Sequence, residues 1–164
     1  MFDGIKPLVS ADEPAFPKAR AFAAHCLSLM DADGLLPASR FELVKIPRLA
    51  PYVAILGMID GGADFQVRLV GTRLVDEFLG RDPTGARLSQ ILKDDAFGRR
   101  SRHIMTEVVR TKRPVLNQPG RARLKEREYM RLETVTFPLV DDAGAVVKIA
   151  SLYDYEFETE PLEV

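Results

Sequence analysis

The apolar residues of this chain change their spacing twice, and that succession of periods limits the folds open to it. From about Pro14 to Met30, Ala15, Ala19, Phe22, Cys26 and Leu29 recur at intervals of 4, 3, 4 and 3, which places them on one side of a helix. Asp12 suits its cap and Asp33-Gly34 its end. A helix with one apolar seam cannot be a core by itself. It must lie on a sheet or on a second copy of itself, and the seam therefore predicts a homodimer interface at those five residues. Ser39-Arg40-Phe41-Glu42 reads as a capping box that starts a short helix before Pro47 and Pro51.

From Val53 the period falls to two. Val53 to Asp60 reads as a strand, Gly61-Gly62 as a turn, and Phe65, Val67 and Leu69 alternate with Gln66 and Arg68 in a second strand. Gly71 to Leu79 and Ala86 to Leu92 follow as short helical stretches. Asp94 or Asp95 can then cap a longer helix that runs to about Lys112, with Phe97, Ser101, Ile104, Met105 and Val108 on one side, and Pro114 ends it. Three β-like runs close the chain: Val115 to Leu124, bent at Pro119-Gly120; Tyr129 to Val140; and Ala145 to Glu156. Asp141 to Gly144 form the turn between the last two. The expected fold is α+β: a five-stranded antiparallel sheet with short helices and one long helix on one face, plus an N-terminal amphipathic helix. The expected division is an extension with its helix over residues 1–34, the sheet domain over 35–157 and an acidic tail over 158–164.

Size and composition agree with one domain. The 164 residues are 46% hydrophobic and 29% charged, and a domain of this length buries roughly 70% of its unfolded surface, enough for a core without disulfides or metal. The single cysteine excludes a disulfide within the chain and fits a reducing compartment. Asp3 stands where a signal peptide needs positive charge, and no apolar run approaches ~18 residues. The expectation is a cytoplasmic protein without membrane insertion.

A search for chemistry is mostly negative. There is no phosphate loop, nucleophile elbow or dinucleotide fingerprint. The acidic pairs Asp76-Glu77, Asp94-Asp95 and Asp141-Asp142 fall in a helix, at a cap and in a turn, where carboxylates are solvated and structurally useful. His25 and Cys26 are adjacent, and successive helical residues diverge by about 100°, so they do not converge on one ion. His103 points away from the apolar face of its helix toward Glu107, so a haem ligand is not expected there. No catalytic residue, metal site or cofactor is expected. Cys26 reads as a small buried hydrophobe.

Charge is uneven despite a net of −1. Between Arg99 and Arg127 ten Lys or Arg residues stand against two acids, which is one footprint of a nucleic-acid binder. No aromatic residue occurs from Gly98 to Glu128, so the stacking platform of single-strand binders is missing and nucleic acid is disfavoured.

Several local motifs occur together. Arg68-Leu69-Val70-Gly71-Thr72 is followed by Gly80-Arg81-Asp82-Pro83-Thr84-Gly85. Leu36-Pro37-Ala38-Ser39-Arg40 precedes them, and Arg113-Pro114-Val115 and Arg131-Leu132-Glu133 leading to Phe137-Pro138-Leu139 come after. This set, spanning about Leu36 to Tyr153, resembles the PAS-like family of small bacterial proteins known as the fifth PAS group. The resemblance implies a five-stranded sheet cupping short helices and one long helix, and a role in sensing small molecules or in docking and dimerisation during signalling. The cysteine motif of flavin photosensors is absent, since Cys26 precedes the fold. With no output domain after Tyr153, such a sensor is expected to act in trans on a signalling protein.

On that reading a pocket lies between the inner sheet face and the helices. Its candidate lining is Phe65, Val67, Leu69, Leu74, Phe78, Ile104, Val108, Tyr129, Arg131, Glu133, Val135 and Ile149. A filled core of the same residues is the competing expectation. The strand over 129–140 can instead turn Met130, Leu132 and Thr134 inward, because a one-residue change of register exchanges the two faces. Two functions of other classes stay open: an isomerase- or cyclase-type enzyme with a buried acid/base pair, and a basic-surface nucleic-acid binder.

Overall fold

The computed structural model describes residues 2–125 and 128–159, with side chains described for these residues outside 122–128 and 159. The acidic tail thus falls largely outside the described residues. The chain runs β1 (Ile5–Pro7), α1 (Pro17–Ser28), β2 (Leu36–Pro37), β3 (Val53–Ile59), β4 (Asp64–Val70), α2 (Thr72–Leu74), α3 (Leu88–Ile91), α4 (Ala96–Thr111), β5 (Val115–Lys125), β6 (Glu128–Val140) and β7 (Val146–Thr159).

All strands join one sheet in the order β1-β5-β6-β7-β3-β4, with β2 added in parallel to the end of β6. The five long strands are those read from the sequence, and every pairing among them is antiparallel. This is the α+β arrangement expected, an antiparallel sheet with short helices and one long helix on one face and an N-terminal helix besides. The structure adds β1 on the edge of β5 and the two-residue β2, both too short for an alternation to register. No described helix is long and apolar enough to cross a membrane.

Both faces of the sheet are covered. The inner face carries the short helices and α4, whose Ile104, Met105 and Val108 are buried against Leu56, Val67 and Ile149. The outer face carries α1, with Ala19, Phe22, Ala23 and Cys26 wholly buried beside Leu116, Val135, Phe137 and Leu152. The ring of Phe22 meets those of Phe137 and Phe41 edge-on at 5.9 and 6.2 Å. The seam expected to pair two chains is therefore used inside one. Ala19, Phe22 and Cys26 reach no surface, and Leu29 packs at the margin of the same cluster. Burying Phe22 against its own sheet stabilises the fold by about 1.5–3 kcal/mol.

The start of α1 explains two polar residues in the sheet. Its N-cap is Phe16, which has no side-chain cap, rather than Asp12. The free amides are instead met by carboxylates from the sheet below. Glu133 Oε2 and Oε1 accept from Ala15 N and Phe16 N, both at 2.8 Å, and Asp154 Oδ2 accepts from Lys18 N and Ala19 N at 2.8 and 3.1 Å. Pro17 has no amide to satisfy. Glu133 and Asp154 face each other across β6 and β7 and are 0% and 4% exposed.

Elsewhere the turns are tighter than expected. The capping box at Ser39 gives isolated 3₁₀ turns at Ala38–Arg40, Leu43–Lys45 and Ala50–Tyr52 instead of a short helix, because prolines at 47 and 51 deny the segment successive amide donors. Gly71 runs so close to Pro51 that a Cβ there would stand 2.2 Å from its carbonyl oxygen. The expected bend at Pro119-Gly120 is a bulge, where the β5–β6 register shifts between Asn117 and Gly120.

Candidate functional site

Between the inner sheet face and the helices the core is not filled. An apolar lobe of about 420 Å³ lies between β3, β4, β6 and the short helices, lined by Leu56, Val67, Val70, Leu74, Leu88 and Ile91 among others. A second lobe of about 500 Å³ lies under α4 against β5 and β6, and its lining is more polar: Arg100, Ser101, Asn117, Gln118, Thr134 and Thr136. The two share Asp95, Phe97, Ser101, Met105, Leu132 and Tyr153, so they meet beneath the first turns of α4. Each volume falls within the range of small-molecule sites.

Local sequence builds this opening. After α2 the chain makes one wide π turn over Val75–Leu79 and stops at Gly80, whose φ of +72° lets the chain reverse. Leu79 and Phe97 line the cleft yet are 41% and 50% exposed. Asp95 caps α4 by accepting from Gly98 N at 2.8 Å, which commits that carboxylate although it borders both lobes. Burial pushes the Tyr153 phenol above its ordinary range. At the end of β7, Tyr155 packs on Phe78 and Phe157 at 4.6 and 5.5 Å, and burial, with Glu77 beside it, raises its phenol too.

The sequence-predicted lining divides three ways. Val67, Leu74 and Phe78 line the apolar lobe and Ile104 the polar one. Phe65, Val108 and Ile149 are buried in the core cluster beside the lobes. The other five belong to the outer face. Glu133 and Val135 lie under α1, the Arg131 guanidinium stands 5.7 Å from the ring of Phe16 at the start of α1, and Tyr129 opposes Glu158 two pleats away in the same phase. Leu69 is displaced by a bulge. Leu56 pairs with Val67 but Ile55 with Leu69, so Arg68 is the extra residue and Val70, not Leu69, returns to the inner side.

On β6 the inward set is Met130, Leu132, Thr134 and Thr136. The polar lining from Arg100 and Asn117 went unseen because neither stands in an unusual sequence context, whereas Tyr153 is in strand phase with the core and does line the cleft.

His103 stacks on Phe2 with ring centroids 4.7 Å apart, and Glu107 bonds Arg110 at 2.8 Å instead of the expected His103. The basic run is largely spoken for. Arg99 pairs with Asp94, Arg102 bonds the carbonyls of Leu92 and Lys93, Lys112 that of Gly144, and Arg113 those of Asp33 and Gly34. Arg121 lies 3.7 Å from the centroid of the Tyr129 ring and 3.3 Å from Glu158. Arg123, Lys125 and Arg127 lie outside the described side chains.

No protein-family model and no curated protein matches this chain. Among solved structures it is similar to an RNA-binding light-oxygen-voltage receptor, at 13% identity and a TM-score of 0.46, over 92% of this chain and 37% of that one. The chain thus spans little more than a third of that receptor's length, and a likeness at that level carries no argument about function.

Proposed function

We propose that this chain is a PAS-like sensory module that binds a small molecule in the two-lobed cleft and passes its state to a signalling protein, without catalysing a reaction. The observation that carries the reading is the cleft itself, since a sheet and helices of this size ordinarily close on each other at crystal-like density. Its position supports signalling. Thr134 and Tyr153, which line the cleft, are cross-strand partners immediately beside Glu133 and Asp154, which hold the start of α1 on the other face. A shift of β6 against β7 at the ligand is thereby one residue from the anchor of the N-terminal helix.

The enzyme reading has less support. The two buried carboxylates among the described residues, Glu133 and Asp154, face away from the cleft and are occupied by four backbone amides. The nucleic-acid reading is weakened by the engagement of the basic side chains just described.

Native mass spectrometry and a thermal-shift screen of metabolites test the proposal. A ligand at 100 times its Kd stabilises the native state by about 2.7 kcal/mol, which raises Tm by roughly 5–10 °C in a domain of this size. Leu74→Trp, which fills the apolar lobe, should abolish that shift. Failure of every compound class to move Tm, together with no bound mass in the native spectrum, would refute ligand sensing.

A further inference from the structure

We propose that the ligand of the cleft is an amphiphilic carboxylate, with its apolar body in the lobe under the short helices and its carboxylate in the lobe under α4. The inference rests on the ligand-binding reading above and adds the chemical class. Three donors lie in the polar lobe with no hydrogen bond among the described residues. Arg100 Nε donates to Asn117 Oδ1 at 2.7 Å and its Nη2 to the carbonyl of Asp3, which leaves Nη1 with no hydrogen bond among the described residues. Asn117 is 6% exposed, and with its oxygen turned to Arg100 its Nδ2 has no hydrogen bond among the described residues. Thr134 lies directly opposite Asn117 across β5 and β6, is 5% exposed, and its hydroxyl likewise has no hydrogen bond among the described residues.

All three residues line the cavity and none of these three atoms is sealed from it, so each is open to a partner placed in the lobe, where a hydrogen bond to a charged group is among the stronger ones. Guanidinium and amide nitrogens can only donate, so what completes this lobe must accept. Arg100 makes no ion pair among the described residues, Asp95 is committed to Gly98, and Arg121 is turned to Glu158. A guanidinium that feels the Asp3 charge but forms no ion pair among the described residues, together with three donors in one lobe, fits the single charge and two oxygens of a carboxylate, which guanidinium groups bind by charge-assisted hydrogen bonds. The adjoining lobe offers the other half, because Leu56, Val67, Val70, Leu74, Leu88 and Ile91 present hydrocarbon, and its charged members, Lys93 and Asp95, come from the turn that enters α4. A molecule reaching from one lobe to the other passes Tyr153, Leu132 and Met105, which border both.

The test compares octanoate with 1-octanol and octylamine on the full chain by isothermal titration calorimetry, below the concentrations at which any of them self-associates. Octanoate should bind at least tenfold more tightly than octanol, with octylamine weakest, and butyrate should bind less than octanoate. Arg100→Gln should lower octanoate affinity ten- to a hundredfold and leave octanol unchanged, while Leu74→Trp should remove both. Thr134→Val, which keeps the side-chain shape and the Arg100 contacts, should give the same split to a smaller extent. It guards against Arg100→Gln acting by loosening the Asp3 segment. Octanol binding as well as octanoate, or both variants leaving the preference intact, would overturn the carboxylate while leaving the cleft a receptor for neutral ligands. No binding by any of the three, with the fold intact, would overturn this inference; the metabolite screen then decides separately whether the cleft binds anything.

Discussion

Glu133 is the residue whose replacement tests the architecture most sharply. Its carboxylate is wholly buried, accepts from Ala15 N and Phe16 N at 2.8 Å each, and has Asp154 as its cross-strand neighbour. In Glu133→Gln one amide keeps an acceptor and the other faces an NH2 group, so about one charge-assisted bond is lost, together with favourable charge at the helix N-terminus. That amounts to roughly 2–3 kcal/mol. Glu133→Ala leaves both amides unmet and opens a cavity, for roughly 3–5 kcal/mol. Urea unfolding should show the midpoint falling with an unchanged m-value. The cycle with Asp154→Asn adds a sign. Two carboxylates side by side repel, so each single variant already gains the relief of that repulsion while the double gains it only once, and the double variant should cost more than the two singles together. A loss below about 1 kcal/mol in Glu133→Ala, against the unmet-amide estimate, or singles that simply add, would refute the claim that these carboxylates jointly anchor α1.

Phe22→Ala should destabilise the chain by about 3–5 kcal/mol without changing its sedimentation coefficient under native conditions; a shift from dimer to monomer at unchanged stability would restore the intermolecular seam. The Cys26 thiol is pushed up by burial, so a thiol reagent should label it only as fast as the protein opens, and stoichiometric labelling of the native state within minutes would contradict its place under the sheet. Hydrogen bonding from Ser89 Oγ at 2.6 Å, then from backbone amides, holds Asp64 below the usual carboxylate range. A depressed folded pKa means that its stabilisation is present above the unfolded value and lost as pH falls through the folded one. A carbon-detected NMR titration should place Asp64 below ordinary aspartates, with Ser89→Ala moving it upward, and a midpoint unaffected by that change would argue against the contact. Gly71→Ala should lower Tm markedly, because the new methyl would stand on the Pro51 carbonyl; an unaltered Tm would show that the two segments separate freely.

What the sequence disclosed and what it withheld follow from how each element is solvated. The hairpin from Val53 and the long helix from Asp95 were legible because each shows one face to water or ends in a distinctive turn or cap. Strand β6 is covered by α4 and the cleft on one side and by α1 on the other, so Glu133-Thr134-Val135-Thr136-Phe137 carries no alternation that distinguishes inside from outside. Its polar members were the informative ones, but their meaning depended on α1. A carboxylate on β6 is anomalous under a bare helix face and expected under a helix N-terminus that begins with Pro17 and lacks a capping side chain. The same logic separates the two kinds of buried polar residue in this sheet. Glu133 and Asp154 have spent their acceptors on amides, so they are explained by the fold alone. Asn117 and Thr134 retain hydrogen-bonding groups that nothing described in the chain satisfies, and they line the face of the sheet where the cleft leaves room for a second molecule to supply the partner.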